Sequence, residues 1–247
     1  MVLLVAKRGP LRKAIRHLFR KNGLNVATVT PAHSDLFGRA LEQRVMVYLP
    51  SSSLLRGKLA PRPDLERLQR VLRATNAPGV RTLVAVVPQG GAYAIEVDAI
   101  QRFGTPYVIV EAPPLLEEIG AELAADTVRA LWLPERGATP ATSAQAVARE
   151  VMAASFTKWQ GRVVPTACEL YGPAELAREA ARLVGVELRV RSTWTWLYRL
   201  FAIARSWLGS RVPAAQALAE CLFPELVPGS KRKALPAHDG DLAAPAA

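Results

Sequence analysis

The chain has 247 residues, of which 50% are hydrophobic and 21% charged, a globular composition that excludes wholesale disorder. Its formal net charge is +11, and residues 1–34 contain no acidic side chain. No apolar run approaches the ~18 residues that span a bilayer, and the amino terminus lacks the basic-then-apolar order of a secretory signal, so we expect a cytoplasmic location.

The basic residues of the first segment form one positive patch. This charge favours an anionic partner such as phosphate, nucleic acid or acidic lipid, although a solvated basic helix face explains it equally well. The residues concerned are Lys7, Arg8, Arg12, Lys13, Arg16, Arg20 and Lys21.

Strand and helix patterns alternate from the start of the chain. Residues 2–6 form an apolar run, and a tight turn leads into a helical pattern that ends at Asn22 and Gly23. Residues 26–29 predict a second strand, and strand–helix–strand order is typical of a parallel sheet.

The alternation continues to residue 114. Strand candidates at 45–49, 83–87 and 107–110 are separated by helical patterns at 65–72 and 92–102. This order predicts an α/β fold with a Rossmann-like, doubly wound, mainly parallel sheet.

Beyond residue 114 the pattern changes to shorter pieces. A strand is predicted over 128–133, a helix over 144–154, a strand over 162–165 and a helix over 173–184. We therefore predict three parts: a Rossmann-like domain over 1–114, a small α+β cap over 115–227, and a disordered tail over 228–247.

Four segments carry a recognisable combination of motifs. They read VLLVAKRGPLR at 2–12, VRTLVAVV at 80–87, RFGTPYVIVEAP at 102–113, and GRVV at 161–164 followed by LYGPAELA at 170–177. Together they resemble the NmrA-like branch of the extended, atypical short-chain dehydrogenase/reductase superfamily. The resemblance covers about residues 2–210 and implies a NAD(P)-binding Rossmann fold.

The resemblance breaks at the phosphate-binding turn. The family pattern there is G-x-x-G-x-x-G, and its glycines allow a tight turn, close approach of pyrophosphate and close helix packing. Ala6, Gly9 and Arg12 occupy these positions. Ala6 adds a Cβ where a positive φ can be required, and Arg12 adds a long side chain, so we expect NAD(P) to bind weakly or not at all.

A second departure is the short connection between the second and third strands. The family normally places a helix and a further strand there, which residues 30–44 are too few to supply. Asp35 is the nearby acid, and a helix N-cap role suits it better than ribose recognition.

A third departure concerns catalysis, since the superfamily's usual pair is a tyrosine followed four residues later by lysine. Tyr93 is followed there by Val97, so no ammonium lowers its pKa for proton transfer. We predict no catalytic residue and expect the Tyr93 ring to pack in the core. Glu111 stands where the family carries arginine before the proline.

Two further loops follow predicted strands, at the edge where doubly wound folds bind ligands. The serines at 51–53 can line a phosphate or carbonyl site or form a plain loop, and residues 88–91 can offer donors or serve as a turn. The candidate cofactor-binding residues are Lys7, Arg8, Gly9, Leu11, Arg12, Pro50, Ser51, Pro88 and Gln89.

No metal site is predicted, because the three histidines are scattered. Cys168 and Cys221 lack the spacing of a zinc or redox motif, and we expect buried thiols. Residues 194–208 form a Trp-rich amphipathic segment that can cover a cleft, dock a protein partner or lie on a membrane.

We interpret the chain as an NmrA-like protein with an eroded dinucleotide site, acting as a non-catalytic or weakly catalytic binding or regulatory module. Its expected partner is an anionic small molecule or a dinucleotide, and nucleic acid is not expected. One alternative is an NAD(P)H-dependent oxidoreductase or nucleotide-sugar epimerase that keeps its cofactor through Lys7, Arg8 and Arg12. Another is a peripheral membrane or assembly factor using the Trp-rich segment.

Overall fold

The computed structural model describes residues 1–51, 53–55, 64–90, 93–125, 130–157 and 161–194. The strands are β1 (Val2–Val5), β2 (Val26–Val29), β3 (Val45–Tyr48), β4 (Thr82–Pro88), β5 (Tyr107–Ala112), β6 (Ala130–Pro134), β7 (Thr139–Ala141), β8 (Arg162–Pro165), β9 (Glu169–Tyr171) and β10 (Arg189–Thr193). The helices are α1 (Pro10–Lys21), α2 (Leu36–Ala40), α3 (Leu65–Thr75), α4 (Ala94–Arg102), α5 (Leu116–Ala125), α6 (Ala144–Phe156) and α7 (Pro173–Val184).

The main sheet has six strands in the order β2-β1-β3-β4-β5-β8, and every neighbouring pair is parallel. The predicted Rossmann-like α/β fold is therefore confirmed. Strands β2 and β3 flank β1 on opposite sides, so the strand order reverses between β1 and β3. In open parallel sheets a ligand crevice forms at such a switch point, outside the carboxyl ends of the strands.

The central strands β1, β3 and β4 read as continuous apolar runs because both of their faces are covered. Leu4 of β1 packs with helices α1 and α6 on one face, whereas Leu3 packs with helices α2, α3 and α4 on the other. Both leucines are fully buried. The two cores fix the register of β1 and, with it, the position of the turn that follows the strand.

The sheet ends at β2 within the described part of the chain, as the short connection predicts. Residues 30–44 carry only the five-residue helix α2. The Asp35 carboxylate accepts a hydrogen bond from the Gly38 N–H at 2.9 Å, which confirms its predicted N-cap role. The side of the crevice beside β2 therefore lacks the further strand of the family pattern.

A third apolar core lies within the predicted cap, where α5 packs against α7. Leu116, Ile119 and Leu123 of α5 share this core with Leu176 and other residues of α7. A Cβ at Gly120 would collide with the Ala180 carbonyl oxygen, so glycine permits the close approach of the two helices. Small two-stranded sheets, β6 with β10 and β7 with β9, complete this region.

Part of the predicted cap range returns to the main sheet. Helix α6 packs on α1, and β8 adds the sixth strand beside β5. The main sheet is therefore built from chain on both sides of residue 114.

Candidate functional site

The predicted site residues lie at one edge of the main sheet. The turn at residues 6–12, which we call the basic turn, follows β1, while Pro50 and Ser51 follow β3. Pro88 ends β4, and the Gln89 N–H donates to the Ala112 carbonyl at 2.8 Å. Strands β1, β3 and β4 are neighbours, so these segments border the same crevice.

The basic turn leaves backbone donors facing the crevice. Gly9 is the N-cap of α1 in extended geometry, φ 177° and ψ 170°, which any residue adopts, and no side chain caps the helix. Pro10 is the first helical residue. The N–H groups of Leu11 and Arg12 have no partner within the helix, because no helical carbonyl precedes them by four residues. Together with the helix dipole, these donors suit an anion.

The side chain of Arg12 folds back over the basic turn. Its Nη1 donates to the Ala6 carbonyl oxygen at 3.3 Å, and the side chain is partly buried. Ala6 is fully buried, and among the described residues only glycines have a positive φ. The anticipated strain at Ala6 is therefore absent, because the strand enters the turn without a left-handed residue. The Arg12 guanidinium, through this hydrogen bond, lies against the Ala6 carbonyl at the start of the turn.

Positive charge surrounds the same turn. Lys7 and Arg8 are exposed, and Leu11 contributes only its backbone because its side chain is buried in the core. Because residues 1–34 contain no acid, the charge of these cations is not offset within this segment. The turn can attract phosphate by charge and bind it through backbone N–H groups.

The serine loop after β3 is tied to the start of α5. The Ser51 hydroxyl donates to the Ser53 carbonyl at 2.6 Å, and the Ser53 hydroxyl donates to Glu118 at 2.9 Å. The Glu118 carboxylate also accepts the N–H groups of Leu54 at 3.2 Å and Leu55 at 2.8 Å. Burial raises the pKa of Glu118, although these hydrogen bonds oppose the rise. Both serine hydroxyls thus have protein partners.

Sequence reasoning missed Glu118 together with helix α5. The spacing of Leu116, Ile119 and Leu123 indicates a helix, but Glu118 lies off that apolar stripe, so the pattern predicts an exposed carboxylate. In the structure Glu118 is 6% exposed, and its hydrogen-bond partners offset the cost of burying the carboxylate.

Tyr93 is only 4% exposed and belongs to the core beneath α4, which confirms the predicted packing of its ring. Glu96, one turn later, is 1% exposed, and its Oε1 accepts the Asp64 N–H at 3.0 Å. Its Oε2 is buried without a hydrogen-bond partner in the described part of the chain. Burial raises the pKa of Glu96. Burial of Tyr48 and the nearby negative charge of Glu96 raise the pKa of the Tyr48 phenol.

Replacing Glu96 by glutamine should change how stability depends on pH. The raised pKa means that the folded protein keeps a proton on Glu96 above pH 4.5, where the unfolded chain has begun to lose it. This carboxyl therefore lowers stability as pH rises through that window. The free energy of unfolding of Glu96→Gln, measured in urea, should improve relative to wild type between pH 4 and pH 7.5. The prediction is contradicted if the difference in unfolding free energy between Glu96→Gln and wild type does not change with pH. It is also contradicted if this difference equals the one measured for the exposed control Glu42→Gln.

Tyr93→Phe should leave any reductase activity of the protein within about threefold of wild type. No lysine occurs between Lys58 and Lys158, so the sequence supplies no ammonium four residues after Tyr93 to lower its phenol pKa. Steady-state rates of NADPH oxidation with an added electron acceptor check the point. A loss of about a hundredfold in a variant with unchanged circular dichroism would show that the phenol acts in catalysis.

Cys168 is exposed, so the expectation that it is a buried thiol is wrong. It lies on a short segment between β8 and β9 at the surface, where neither neighbouring strand covers it. Cys221 and residues 195–208 of the Trp-rich segment lie outside the described residues; Trp194 is 60% exposed.

Within the described ranges, no group of three or more His, Cys, Asp or Glu side chains is arranged to hold a metal ion.

No family model matches the sequence, and no curated protein sequence matches it. Solved structures do match its fold. A nucleoside-diphosphate-sugar epimerase from Staphylococcus aureus is 13% identical, with a TM-score of 0.61 over 92% of this chain and 91% of its own. An NADPH-dependent quinone oxidoreductase from Escherichia coli, in complex with NADPH, is 17% identical, with a TM-score of 0.60 over 92% and 88%.

A dTDP-4-dehydrorhamnose reductase from Bacillus anthracis, in complex with NADP, is 11% identical, with a TM-score of 0.61 over 91% of this chain and 98% of its own. The chain thus shares the Rossmann-like fold of these solved structures, in agreement with the predicted α/β architecture. None of its helices in the described ranges combines the length and apolar character that crossing a bilayer requires.

Proposed function

We propose that this chain, built on the NAD(P)-binding Rossmann fold, binds a phosphate-bearing small molecule at the basic turn and acts as a binding or regulatory module with an eroded dinucleotide site. The observation that carries the proposal is the Arg12 guanidinium, which lies over the turn on the Ala6 carbonyl. A dinucleotide needs that space for its pyrophosphate, whereas a single phosphate group can bind at the exposed side of the turn.

The residues present fit the phosphates of a dinucleotide better than its adenosine. Lys7, Arg8 and the N-terminus of α1 suit phosphate. The adenosine side is poorer, because the described sheet ends at β2 and Asp35 is engaged as an N-cap. NAD(P) therefore remains a weak ligand in this proposal.

The chemistry of the site also favours binding over hydride transfer. Tyr93 is packed in the core, Val97 replaces the expected lysine, and Ser53 donates its hydroxyl to Glu118. None of these side chains is arranged as the proton-transferring pair of the standard mechanism.

Calorimetric titration of the wild-type protein tests the proposal. Inorganic pyrophosphate should bind, and NADH and NADPH should bind with Kd values weaker than about 100 μM, or roughly −5.5 kcal/mol. Substituting Lys7 and Arg8 by alanine should weaken pyrophosphate binding at least fivefold, whereas the matched pair Arg16→Ala and Arg20→Ala should not. Micromolar NADPH affinity combined with hydride transfer to an acceptor would overturn the proposal.

The second candidate is an NAD(P)H-dependent oxidoreductase or nucleotide-sugar epimerase. It is favoured by the likeness to the NADPH-bound quinone oxidoreductase and the NADP-bound reductase. In this alternative, Lys7, Arg8 and Arg12 hold the phosphates by charge and replace the missing glycines.

A further inference from the structure

A groove of about 430 Å³ lies beside α4; its lining includes Pro88 at the end of β4 but no residue of the basic turn. One wall is α4, which presents Val97 and Asp98, and the floor includes Glu111 of β5 and Val163 of β8. The groove exists because α4 covers β4 and β5, while no helix of the described part of the chain covers the same face of β8; Val163 is 41% exposed. Its volume lies within the range of small-molecule sites.

The carboxylate of Glu111 is the unusual feature of this groove. Glu111 is paired with Val87 on β4 and with Pro165 on β8, so neither cross-strand neighbour carries a charge. It is half-buried, and burial raises its pKa. No hydrogen bond or ion pair of its side chain occurs among the described residues, and the described lining contains no lysine or arginine.

The second acid of the groove is already neutralised. Asp98 forms an ion pair with Arg102 at 2.9 Å on the exposed surface of α4. Glu111 therefore provides the uncompensated charge, and Val87, Val97 and Val163 provide apolar surface around it. A half-buried carboxylate on apolar walls is complementary to a cation with an apolar body.

We propose that the groove between α4 and strands β5 and β8 binds a small organic cation, specifically a protonated amine on a compact apolar group. The ammonium pairs with Glu111, and the apolar group covers Val97 and Val163. The chain's net charge of +11 repels cations at long range, so recognition depends on this short-range contact. No residue of the basic turn lines the groove, and a ligand here need not carry phosphate.

Benzylammonium and its neutral counterpart benzyl alcohol are suitable probes, titrated into the full chain and followed by protein NMR. Benzylammonium should bind at least tenfold more tightly than benzyl alcohol, with shifts centred on Glu111, Val97 and Val163. Glu111→Gln should reduce the ammonium affinity at least tenfold and leave benzyl alcohol unchanged, while Asp98→Asn should change it less than threefold. Ammonium binding should weaken as pH falls and Glu111 takes up its proton.

Two further measurements keep the result interpretable. Val163→Phe, at a partly exposed edge position, should block both probes by filling the groove. Pyrophosphate binding should be unchanged in Glu111→Gln, so failure at this groove is distinguishable from failure at the basic turn. Equal affinity for the two probes, equal affinity of wild type and Glu111→Gln for benzylammonium, or shifts outside the groove would each overturn the proposal.

Discussion

Replacing Ala6 and Arg12 together by glycine should tighten NADPH binding at least tenfold relative to the natural chain. The Arg12 side chain lies over the turn, with Nη1 3.3 Å from the Ala6 carbonyl, where a bound pyrophosphate would have to approach the backbone. Its removal clears the turn and leaves the N–H groups at the start of α1 in place. A tenfold gain corresponds to about 1.4 kcal/mol, a modest share of a pyrophosphate's contacts.

The lost charge cannot explain the expected gain in NADPH affinity, because removing a cation weakens the attraction for phosphate. Ala6→Gly combined with Arg16→Gly is the matched control. It also replaces one arginine of α1 by glycine, but Arg16 lies on the exposed face of the helix. This control should bind NADPH no better than wild type in calorimetry. If the double glycine variant instead binds less tightly than wild type, Arg12 clamps the phosphate and the oxidoreductase alternative gains support.

The central strands of the main sheet were predictable because β1, β3 and β4 are buried on both faces and read as apolar runs, whereas the edge strand β8 is largely exposed. The predicted strand at 26–29 and helix at 173–184 coincide with β2 and α7. Helix α5 was missed because acids are interspersed along the sequence among its apolar residues, and these acids bind partners elsewhere: Glu117 accepts the Ala144 N–H at 3.0 Å. Strands β7 and β9, with three residues each, are too short to show a period.

The site was predictable only where neighbours in sequence are neighbours in space. The basic turn is one short segment, so its missing glycines and its charges could be located from residues 6–12 alone. The partner of Ser53 could not be predicted in this way. Glu118 lies 65 residues away and reaches the loop only after the sheet and α5 have formed. The open face beside Glu111 likewise depends on where α4 ends over the sheet.

Glu118→Ala should lower the free energy of unfolding by about 2–4 kcal/mol. The substitution removes the acceptor of the Ser53 hydroxyl and of two buried backbone N–H groups, those of Leu54 and Leu55. Each unsatisfied buried donor costs about 1–3 kcal/mol, and release of a desolvated carboxylate offsets part of that cost. Urea denaturation at pH 7 measures the difference, with exposed Glu42→Ala as the control expected within about 0.5 kcal/mol of wild type.

The loss of stability should be local as well as global, because Glu118 joins the loop after β3 to the start of α5 through three hydrogen bonds. Amide hydrogen exchange at Leu54 and Leu55 should accelerate far more than exchange in β1, whose hydrogen bonds do not involve this carboxylate. Glu118→Gln keeps one acceptor oxygen, so its effect should fall between those of wild type and Glu118→Ala. Uniform acceleration across all strands would instead mean that Glu118 supports the whole core, and that the loop beside the crevice is held by other contacts.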